Sequence, residues 1–317
     1  MKVGIIGVGA VGTSCAKAML LRGSCHEIVL LDVDERRSRG VYADLSHGEV
    51  LCPPTQIRVG GYENLAGAGV IVITAGINEQ AGKAIDRDDA LGRLRLLPTN
   101  AAIYEQIIPK IVRVAPEAPI LVVTDPPDPL ADIARRLTKT NPVLSSGTFL
   151  DSIRFRHQLG SRLGCHPSAV DAIVIGEHGT SQVYVWSSAR IGGESVLDHA
   201  VRKGRDAGRF QSDVEHAVKY ANIDIIEGTG ASQHGIGIVT ARLVEAMLRD
   251  EGLVEPIGTL HPQFGVTLSL PSVIGRGGVS MVLQPELSEE EAEALAASAE
   301  AIRAALEGIE LFARRRG

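Results

Sequence analysis

Three glycines at a fixed spacing mark a place where the chain could bind phosphate groups. Directly after the strand-like run Val3–Ile6, and at the opening of a helical stretch, the chain reads Gly7-Val8-Gly9-Ala10-Val11-Gly12. The first glycine permits a tight turn, the second lets the backbone approach a pyrophosphate, and the third lets helix and strand pack closely. The helix N-terminus adds unpaired N–H groups and the positive end of a dipole. The run therefore predicts a dinucleotide site.

An acidic residue stands at the distance that such a site requires. Asp32 ends the second strand-like run, about 20 residues after Gly12. A carboxylate there accepts hydrogen bonds from the adenosine ribose and repels the 2′-phosphate of NADP, so NAD is the expected cofactor. Asp34 is the alternative ribose ligand, although it lies beyond the predicted strand. The other interpretation is that Asp32 is only a strand-end turn residue.

A histidine between glycines is the first candidate for acid–base chemistry. Hydride transfer from a carbinol needs a base for the hydroxyl proton, a cation for the substrate carboxylate and shielding from water. His178 follows the strand-like run Val170–Ile175 in the sequence Gly-Glu-His-Gly, where glycines free the backbone to aim the ring. An aspartate usually holds such a ring. Taken alone, a histidine of this kind is more often structural than catalytic.

Several stretches together resemble the lactate/malate dehydrogenases of the L-2-hydroxy-acid type. Besides the glycine run, they are Ala-Asp-Leu-Ser-His-Gly at 43–48, Thr-Ala-Gly at 74–76, Gly-Thr-Phe-Leu-Asp-Ser-Ile-Arg-Phe-Arg at 147–156 and Ile-Gly-Glu-His-Gly at 175–179. The resemblance covers nearly the whole chain, and the pairing of Leu-Asp-x-x-Arg with Gly-Glu-His-Gly is its most specific part. It implies an enzyme that moves a hydride between NAD and a small L-2-hydroxy acid or the matching 2-oxo acid.

The resemblance also implies roles for individual residues. His178 would accept and donate the proton, Asp151 would be its carboxylate partner, and Arg154 would grip the substrate carboxylate through a bidentate fork. Asp151 and Arg154 are one helical turn apart and can face one cleft; a simple intrahelical ion pair is the alternative. The implied cofactor-binding residues are Gly7, Val8, Gly9, Ala10, Val11, Gly12, Asp32, Thr74, Ala75, Gly76, Asn100 and Val123.

The loop that should close over the substrate departs from the family. The family carries an arginine a short way past Ala-Gly, where this chain has Ile85. Counting back from Asn100 in the family's pattern Arg-Leu-x-Leu-x-x-x-Asn reaches Arg93 instead, so we expect a longer loop in which Arg93 polarises the substrate carbonyl. Arg87 is the alternative. In a third interpretation no loop arginine acts and residues 86–89 are only a solvated face.

Two acidic residues stand at positions that determine substrate specificity in the family. Glu79 replaces the Gln of lactate enzymes or the Arg of malate enzymes, and Asp125 replaces an Asn before proline. A carboxylate at 79 repels the second carboxylate of malate. An ionised Asp125 only accepts hydrogen bonds, unless burial keeps it protonated. With Ser232 as a further pocket residue, we expect a best substrate that is neither malate nor plain lactate, and we hypothesise a polar or cationic tail.

The elements that position these residues alternate regularly in the first half of the chain. This βαβ rhythm predicts a doubly wound parallel sheet of the Rossmann type over residues 1–145, the NAD-binding domain, followed by a mixed α+β substrate domain over residues 146–317. The predicted strands are Val3–Ile6, Ile28–Leu31, Val70–Thr74 and Ile120–Thr124, and the predicted helices are Ala10–Arg22, Glu35–Ser46 and Asn100–Val114.

The second half is less regular. It ends in a helix whose start is marked by a capping box, with Ser288 as N-cap and Glu291 three residues on. The other predicted helices are Asp151–Leu163, Asp206–Glu227 and Val239–Arg249. The predicted strands are Val170–Ile175, Val183–Ala189, Arg190–Ile191, Phe264–Pro271 and Val279–Leu283.

Composition excludes several classes of function. The net charge of −6 and the lack of a basic run other than Arg314-Arg315-Arg316, read as a solvated helix end, argue against a nucleic-acid partner. No apolar run approaches the roughly 20 residues of a membrane span, and the start of the chain is strand-like rather than a signal peptide. Four cysteines without metal-ligand spacing fit reduced thiols and no metal site. We expect a cytoplasmic enzyme, and the resemblance implies a homodimer or homotetramer.

Two other functions remain open at this stage. A catalytically silent NAD-binding homologue would explain Asp125 and the altered loop, although His178, Asp151 and Arg154 are all retained. An NAD-dependent glycosidase would share the cofactor domain and use a Cys/His metal pair, for which the adjacent residues Cys165 and His166 are the candidates.

Overall fold

The structure is a computed structural model that describes residues 1–89 and 91–313. The arginines at 314–316 lie outside the described residues. The strands are β1 Lys2–Ile6, β2 Glu27–Leu31, β3 Gln56–Val59, β4 Val70–Ile73, β5 Ile120–Val122, β6 Val143–Ser145, β7 Val170–Asp171, β8 Val174–Ile175, β9 Val183–Tyr184, β10 Arg190–Ile191, β11 Glu194–Ser195, β12 Leu253–His261, β13 Val266–Gly275 and β14 Gly278–Val282.

The helices complete the described chain. They are α1 Ala10–Arg22, α2 Glu35–Ser46, α3 Leu97–Val114, α4 Pro127–Leu137, α5 Phe149–Leu163, α6 Val196–Arg202, α7 Ala207–Lys219, α8 Ala221–Thr229, α9 His234–Arg249, α10 Glu289–Glu307 and α11 Glu310–Ala313. Short 3₁₀ turns lie at Glu49–Leu51, Tyr62–Leu65, Gly92–Leu96 and Pro167–Ala169.

The described residues form a nine-stranded sheet in the order β14-β13-β12-β6-β5-β4-β1-β2-β3. The six strands from β6 to β3 are parallel, and their order reverses between β1 and β4, which is the doubly wound arrangement predicted from the sequence. The antiparallel strands β12, β13 and β14 extend the same sheet beyond β6. The second half of the chain therefore adds to the sheet of the first half, together with two small sheets of its own.

Apolar strands explain why helices cover both faces of this sheet. Every residue of Val70–Ile73 is buried, and such continuous burial requires a helical layer on each side. Ile71 and Ile73 belong to the core beneath α3, α4 and α10, whereas Val70 and Val72 belong to the core beneath α1 and α9. Successive side chains of this strand therefore pack into the cores on opposite faces of the sheet.

A third core lies beneath the second half of the chain and contains most of its aromatic packing. Phe155 meets Tyr184 and Trp186 edge to face at ring-centroid distances of 5.4 and 4.8 Å, and Trp186 meets Phe210 at 6.2 Å. Edge-to-face packing of this kind is favourable for aromatic quadrupoles. This cluster supports α5, which carries two of the predicted site residues.

The first-half predictions agree closely with the structure, but several in the second half were wrong. The run Val170–Ile175 is two strands, because β7 pairs with β10 whereas β8 pairs with β9. The predicted helix Asp206–Glu227 is broken at Tyr220, where φ is −100° and ψ is 4°. The predicted strand Val183–Ala189 stops at Tyr184, after which the chain turns and the amide of Ala189 bonds the carbonyl of Trp186.

Some elements were missed altogether. They are β3, α4, β6, α6, β11 and β12. Strand β12 contains Pro256, which cannot donate a ladder hydrogen bond and so argues against a strand in sequence. In the structure Pro256 lies opposite Pro271 of β13, and β12 pairs with β6 only through Gly258 and Ser145. Because the two prolines lie opposite each other, neither takes the place of a residue that would have to donate an N–H to its partner.

Candidate active site

The glycine run forms the floor of two adjoining cavities at the carboxyl ends of the parallel strands. Gly7 has φ +91°, and a Cβ there would lie 2.6 Å from the Cα of Ala75. A Cβ on Gly12 would lie 2.0 Å from the carbonyl oxygen of Gly7, so close packing excludes any side chain. Gly9 differs, because a Cβ there would meet nothing within 4 Å. Gly9 lines both cavities, so the space above it is available to a ligand.

Asp32 lines the larger cavity, which has a volume of about 470 Å³. One carboxylate oxygen accepts a hydrogen bond from the amide of Val8 at 2.7 Å, and the other accepts from the amide of Asp34 at 2.9 Å. These bonds hold the carboxylate at the end of β2 and leave lone pairs for ribose hydroxyls. Asp34, the alternative candidate, instead caps α2 by accepting from the amides of Arg36 and Arg37.

These features fit a dinucleotide. The larger cavity offers an acceptor at one end, and the turn between β1 and α1 offers open backbone at Gly9 beside the N-terminus of the helix. Thr74 and Gly76 line both cavities, Ala75 lines the larger one, and Ala10, Val11 and Val123 line the smaller one. Arg37, which was not a sequence candidate, lines both and lies in the first turn of α2 just after Asp32.

Asn100 and Val8 lie behind the cavity walls. The Asn100 side chain is fully buried, accepts from the amide of Ile77 at 2.8 Å and donates to the carbonyl of Asp125 at 2.7 Å. It therefore ties the start of the substrate loop to the turn after β5. Val8 is also buried and contributes its amide to Asp32. Asn100 and Val8 therefore act on the cavities indirectly, by positioning the residues that line them.

His178 lies on the wall of the smaller cavity, which has a volume of about 240 Å³. Its Nδ1 atom hydrogen-bonds the carboxylate of Asp151, which is 2% exposed. Gly176, at φ +83°, turns the chain after β8 so that the ring faces the cavity. The bond to Asp151 leaves Nε2 directed toward the substrate space. The structure thus brings together the histidine and aspartate that the sequence paired.

Asp128 holds the backbone of His178 and was missed by the sequence reasoning. Its carboxylate accepts from the amide of His178 at 2.8 Å and from the hydroxyl of Ser145 at 2.5 Å. Burial raises the pKa of Asp128 to about 7, although the bonds from His178 and Ser145 act in the opposite direction. Asp128 lies in the first turn of α4, a helix that was itself not predicted, so no sequence signal pointed to this role.

Arg154 and Asp151 are neighbours on α5, one turn apart. The Nη1 atom of Arg154 donates to Asp151 at 3.1 Å, and Nη2 reaches the hydroxyl of Ser232 at 3.4 Å. Burial acts to raise the pKa of Asp151, but His178, Arg154 and Arg93 outweigh burial and lower it. Asp151 is therefore ionised, and Arg154 is presented at the cavity with its planar fork oriented.

Arg93 reaches into the same cavity from the 3₁₀ turn at Gly92–Leu96. Its Nη1 atom contacts Nε2 of His178, and its Nε atom lies 3.5 Å from a carboxylate oxygen of Asp125. Burial acts to lower the pKa of Arg93, but the carboxylates of Asp125, Asp151 and Glu79 outweigh it and raise the pKa. The guanidinium is thus kept charged beside the atom that would exchange a proton.

Arg87, the alternative loop arginine, points away from His178. It binds Glu227 at 2.7 and 2.9 Å and Asp224 at 2.6 Å, both on α8. The neighbouring Asp89 pairs with Arg95 at 2.7 Å. Residues 86–89 therefore fasten the loop to α8 rather than entering the smaller cavity.

Glu79 and Asp125 both line the smaller cavity together with Arg93, His178 and Arg154. Burial raises the pKa of Glu79, and the negative charge of Asp125 beside it raises the pKa further, whereas Arg93 lowers it only in part. The two acidic residues singled out in the sequence therefore line one cavity, Glu79 from the loop after β4 and Asp125 from the turn after β5.

The residues considered for a metal lie elsewhere. His166 hydrogen-bonds the hydroxyl of Ser168 at 2.8 Å in the turn before β7, away from both cavities. Across residues 1–89 and 91–313, no group of three or more His, Cys, Asp or Glu side chains is placed to hold a metal ion. In the same part of the chain, none of the helices combines the length and apolar character needed to cross a membrane.

Comparison with known proteins identifies the family of the chain. The model of the lactate/malate dehydrogenase NAD binding domain matches residues 1–145, and that of the lactate/malate dehydrogenase alpha/beta C-terminal domain matches residues 148–313. The chain is 40% identical to an L-lactate dehydrogenase of Deinococcus radiodurans over 96% of this chain and 97% of the relative. It is also 40% identical to an L-lactate dehydrogenase of Thermus aquaticus, over 96% and 98%.

Solved structures agree with these matches. A lactate dehydrogenase from a Medee basin deep-sea metagenome library superposes with a TM-score of 0.87 at 31% identity, covering 96% of this chain and 98% of the other. The minor L-lactate dehydrogenase of Enterococcus mundtii superposes with a TM-score of 0.88 at 29% identity, covering 96% and 97%. The chain therefore belongs to the lactate/malate dehydrogenase family and is an NAD-dependent dehydrogenase of 2-hydroxy acids.

Proposed function

We propose that this enzyme interconverts a small L-2-hydroxy acid and its 2-oxo acid, with His178 as the proton acceptor and donor. The observation that carries the proposal is the position of His178, held by Asp151 through Nδ1, with Nε2 beside Arg93 on the cavity that Gly9 also lines. NAD, when bound, supplies the hydride acceptor. The residues of the chain must then remove the hydroxyl proton, orient the substrate and exclude water.

Proton transfer falls to the pair of His178 and Asp151. In the oxidising direction the Nε2 atom takes the hydroxyl proton, and the imidazolium that forms is stabilised by the ionised Asp151 across the Nδ1 bond. In the reducing direction the same atom returns the proton to the carbonyl oxygen. Asp128 holds the backbone of His178 and so positions the ring.

Substrate orientation falls to two arginines. Arg154 presents two N–H groups to the substrate carboxylate, a pairing stronger than a single ammonium can make, and Ser232 supports its far side. Arg93 lies against Nε2 of His178 and donates to the substrate oxygen that becomes a carbonyl, which stabilises the charge that develops there. We assign Arg93 to this role because Arg87 is engaged by α8.

The cofactor contacts follow the two cavities. We propose that Asp32 binds the adenosine ribose and that Gly7, Gly9, Gly12 and the amides opening α1 receive the pyrophosphate. The nicotinamide end is assigned to the strand ends. The further proposed contacts, made directly or from behind the wall, are Val8, Ala10, Val11, Thr74, Ala75, Gly76, Asn100 and Val123. On this assignment residues 1–145 form the NAD-binding domain and residues 146–317 the substrate domain.

The best substrate is proposed to be neither malate nor plain lactate. The relatives named above are lactate dehydrogenases, so lactate is the reference for any test. Support for a different substrate comes from Glu79 and Asp125, which place two carboxyls in the substrate cavity. Their negative charge repels the second carboxylate of malate. With lactate, whose tail is a methyl group, the two carboxyls would have no polar partner on the substrate.

The test is a panel of 2-oxo acids, with NADH oxidation followed by absorbance. We expect turnover of pyruvate, weaker turnover of oxaloacetate and faster turnover of at least one substrate with a polar tail. Binding of NADH without turnover of any panel member would indicate a silent homologue and would overturn the proposal. If pyruvate were the best substrate, only the statement about substrate choice would fail.

We also propose that the enzyme works in the cytoplasm as a homodimer or homotetramer. Cys15, Cys25, Cys52 and Cys165 are free thiols, as expected in a reducing compartment. Val50 and Leu51 are 87% and 90% exposed after α2, and such neighbouring apolar side chains favour burial against another subunit. Light scattering on the purified protein would give the mass, and a monomer at micromolar concentration would contradict the second part.

A further inference from the structure

The carboxyls of the substrate cavity are not all paired by the arginines beside them. Glu79, Asp125 and Asp151 lie near the guanidinium groups of Arg93 and Arg154, whereas Arg37, the third arginine that lines this cavity, also lines the larger cavity assigned to the cofactor. Arg154 bonds Asp151 at 3.1 Å, and Arg93 pairs with Asp125 at 3.5 Å. Within residues 1–89 and 91–313, no ion pair within 4 Å involves the Glu79 carboxyl.

Substrate binding increases this imbalance. The carboxylate of a 2-hydroxy acid brings one more negative charge to Arg154. Arg93 must also serve the substrate oxygen beside His178, where its Nη1 atom already lies. One positive charge is then missing from the Glu79 side of the cavity, and in a partly desolvated site an unpaired carboxylate is costly.

In the free enzyme a proton on Glu79 supplies that charge, because burial and the nearby charge of Asp125 raise the pKa of this carboxyl. Both carboxyls line the same cavity, where Arg93 lies 3.5 Å from Asp125. The other charged groups facing them are Arg93 from the 3₁₀ turn, Asp151 and Arg154 from α5, His178 after β8 and Arg37 from α2.

We propose that the Glu79–Asp125 pair is a cation site that exchanges its proton for the ammonium or guanidinium group of the substrate's side chain. The substrate class is therefore a 2-hydroxy acid, or its 2-oxo acid, that ends in a cationic group. This inference rests on the proposed function. Binding releases the proton of Glu79 to solvent, and both carboxylates then pair with the cation through charge-assisted hydrogen bonds.

The test uses L-2-hydroxy acids matched in length, because the 2-oxo acid of the longer amino compound cyclises to a six-membered imine. One pair is 4-amino-2-hydroxybutanoate and 2-hydroxypentanoate, and a longer pair is 6-amino-2-hydroxyhexanoate and 2-hydroxyheptanoate. The rate of NAD reduction gives kcat/KM for each. We expect the ammonium member of at least one pair to be preferred by about 10-fold or more, the value of one charge-assisted pairing. The preference should grow as pH rises, because the competing proton leaves.

Two variants show whether the carboxyl pair carries the preference. Glu79→Gln and Asp125→Asn should each reduce the ammonium-to-methyl ratio of kcat/KM toward one, whatever happens to the absolute rates. Gln80→Glu, a change at the neighbouring wall position, is the matched control and should retain the preference. NADH binding, measured by fluorescence, shows that each variant is folded.

The outcomes separate this inference from the proposed function. Equal or better turnover of the methyl member in both pairs would overturn the cation site while leaving the dehydrogenase activity intact. A preference for ammonium that survives both Glu79→Gln and Asp125→Asn would also overturn it. Failure of every hydroxy acid, lactate included, in the presence of bound NAD would overturn the proposed function as well.

Discussion

The amide of His178 donates a hydrogen bond of 2.8 Å to the carboxylate of Asp128, which lies at the start of α4 and is 1% exposed. A buried carboxyl thus fixes the main chain of a residue whose side chain lines the smaller cavity. Because burial raises the pKa of Asp128 from its ordinary value of 3.8 to about 7, this contact links protein stability to pH.

The first prediction concerns that link. Between pH 4 and 7 the folded protein keeps a proton on Asp128 that the unfolded chain has lost, so stability falls as pH rises through this window. Asp128→Asn keeps both hydrogen-bond partners and cannot ionise. Relative to the parent, it should gain stability with rising pH by at most about 1.4 kcal/mol per pH unit. Urea unfolding at several pH values measures this, and parallel curves for the two proteins would contradict it.

The second prediction concerns cofactor choice at Asp32. Asp32→Asn keeps an acceptor for the amide of Val8 but removes the negative charge from the end of the larger cavity where we propose the ribose binds. The ratio of KM for NADPH to KM for NADH should fall by about 10-fold, because one like-charge contact of roughly 1.4 kcal/mol is lost. Steady-state kinetics with both cofactors provides the ratio. An unchanged ratio would place the ribose elsewhere.

The third prediction concerns the carboxylate grip. Arg154→Lys retains the charge but loses the planar fork that faces Asp151 and Ser232. KM for the 2-oxo acid should rise by about 10- to 100-fold, since a charged hydrogen bond contributes roughly 1.5–3 kcal/mol. The dissociation constant of NADH should stay the same and serves as the folding control. An unaltered KM would remove Arg154 from the site.

The fourth prediction compares two arginines of one loop. Arg93→Gln should lower kcat by about 100-fold, because Arg93 contacts Nε2 of His178 and is proposed to stabilise charge on the reacting oxygen. Arg87→Gln changes a residue that pairs with α8 at the surface, so kcat should stay within about threefold. Pre-steady-state and steady-state rates with NADH and pyruvate measure both. The reverse order of effects would make Arg87 the acting arginine.

Much of the fold could be predicted because local sequence signals favour the same helices and strands that tertiary packing requires. The helices Ala10–Arg22 and Glu35–Ser46 match their predicted bounds, and Ser288 and Glu291 form the expected capping box. The predictions that failed concern elements whose structure depends on partners remote in sequence. The turn between β7 and β8 depends on pairing with β10 and β9, and β12 forms despite Pro256 because β13 offers Pro271 opposite.

The candidate site divides in the same way. Gly9, Asp32, Asp151 and His178 could be selected as candidates because each stands in a short motif with a fixed spacing, and the structure places them at or beside the two cavities. Asp128 and Arg37 were missed, since their roles arise from where the turn after β5 and the first turn of α2 meet the cavities. No local pattern distinguishes Arg93, which reaches His178, from Arg87, whose partners on α8 are remote in sequence.

The most direct test of the account is the single-turnover oxidation of NADH by pyruvate in the parent enzyme and in His178→Asn. Asparagine can still accept or donate near Asp151 but cannot carry the proton, so we predict NADH binding of unchanged affinity and a rate lower by at least about 1000-fold. A His178→Asn enzyme that binds NADH and reduces pyruvate at a rate near that of the parent would contradict the central claim.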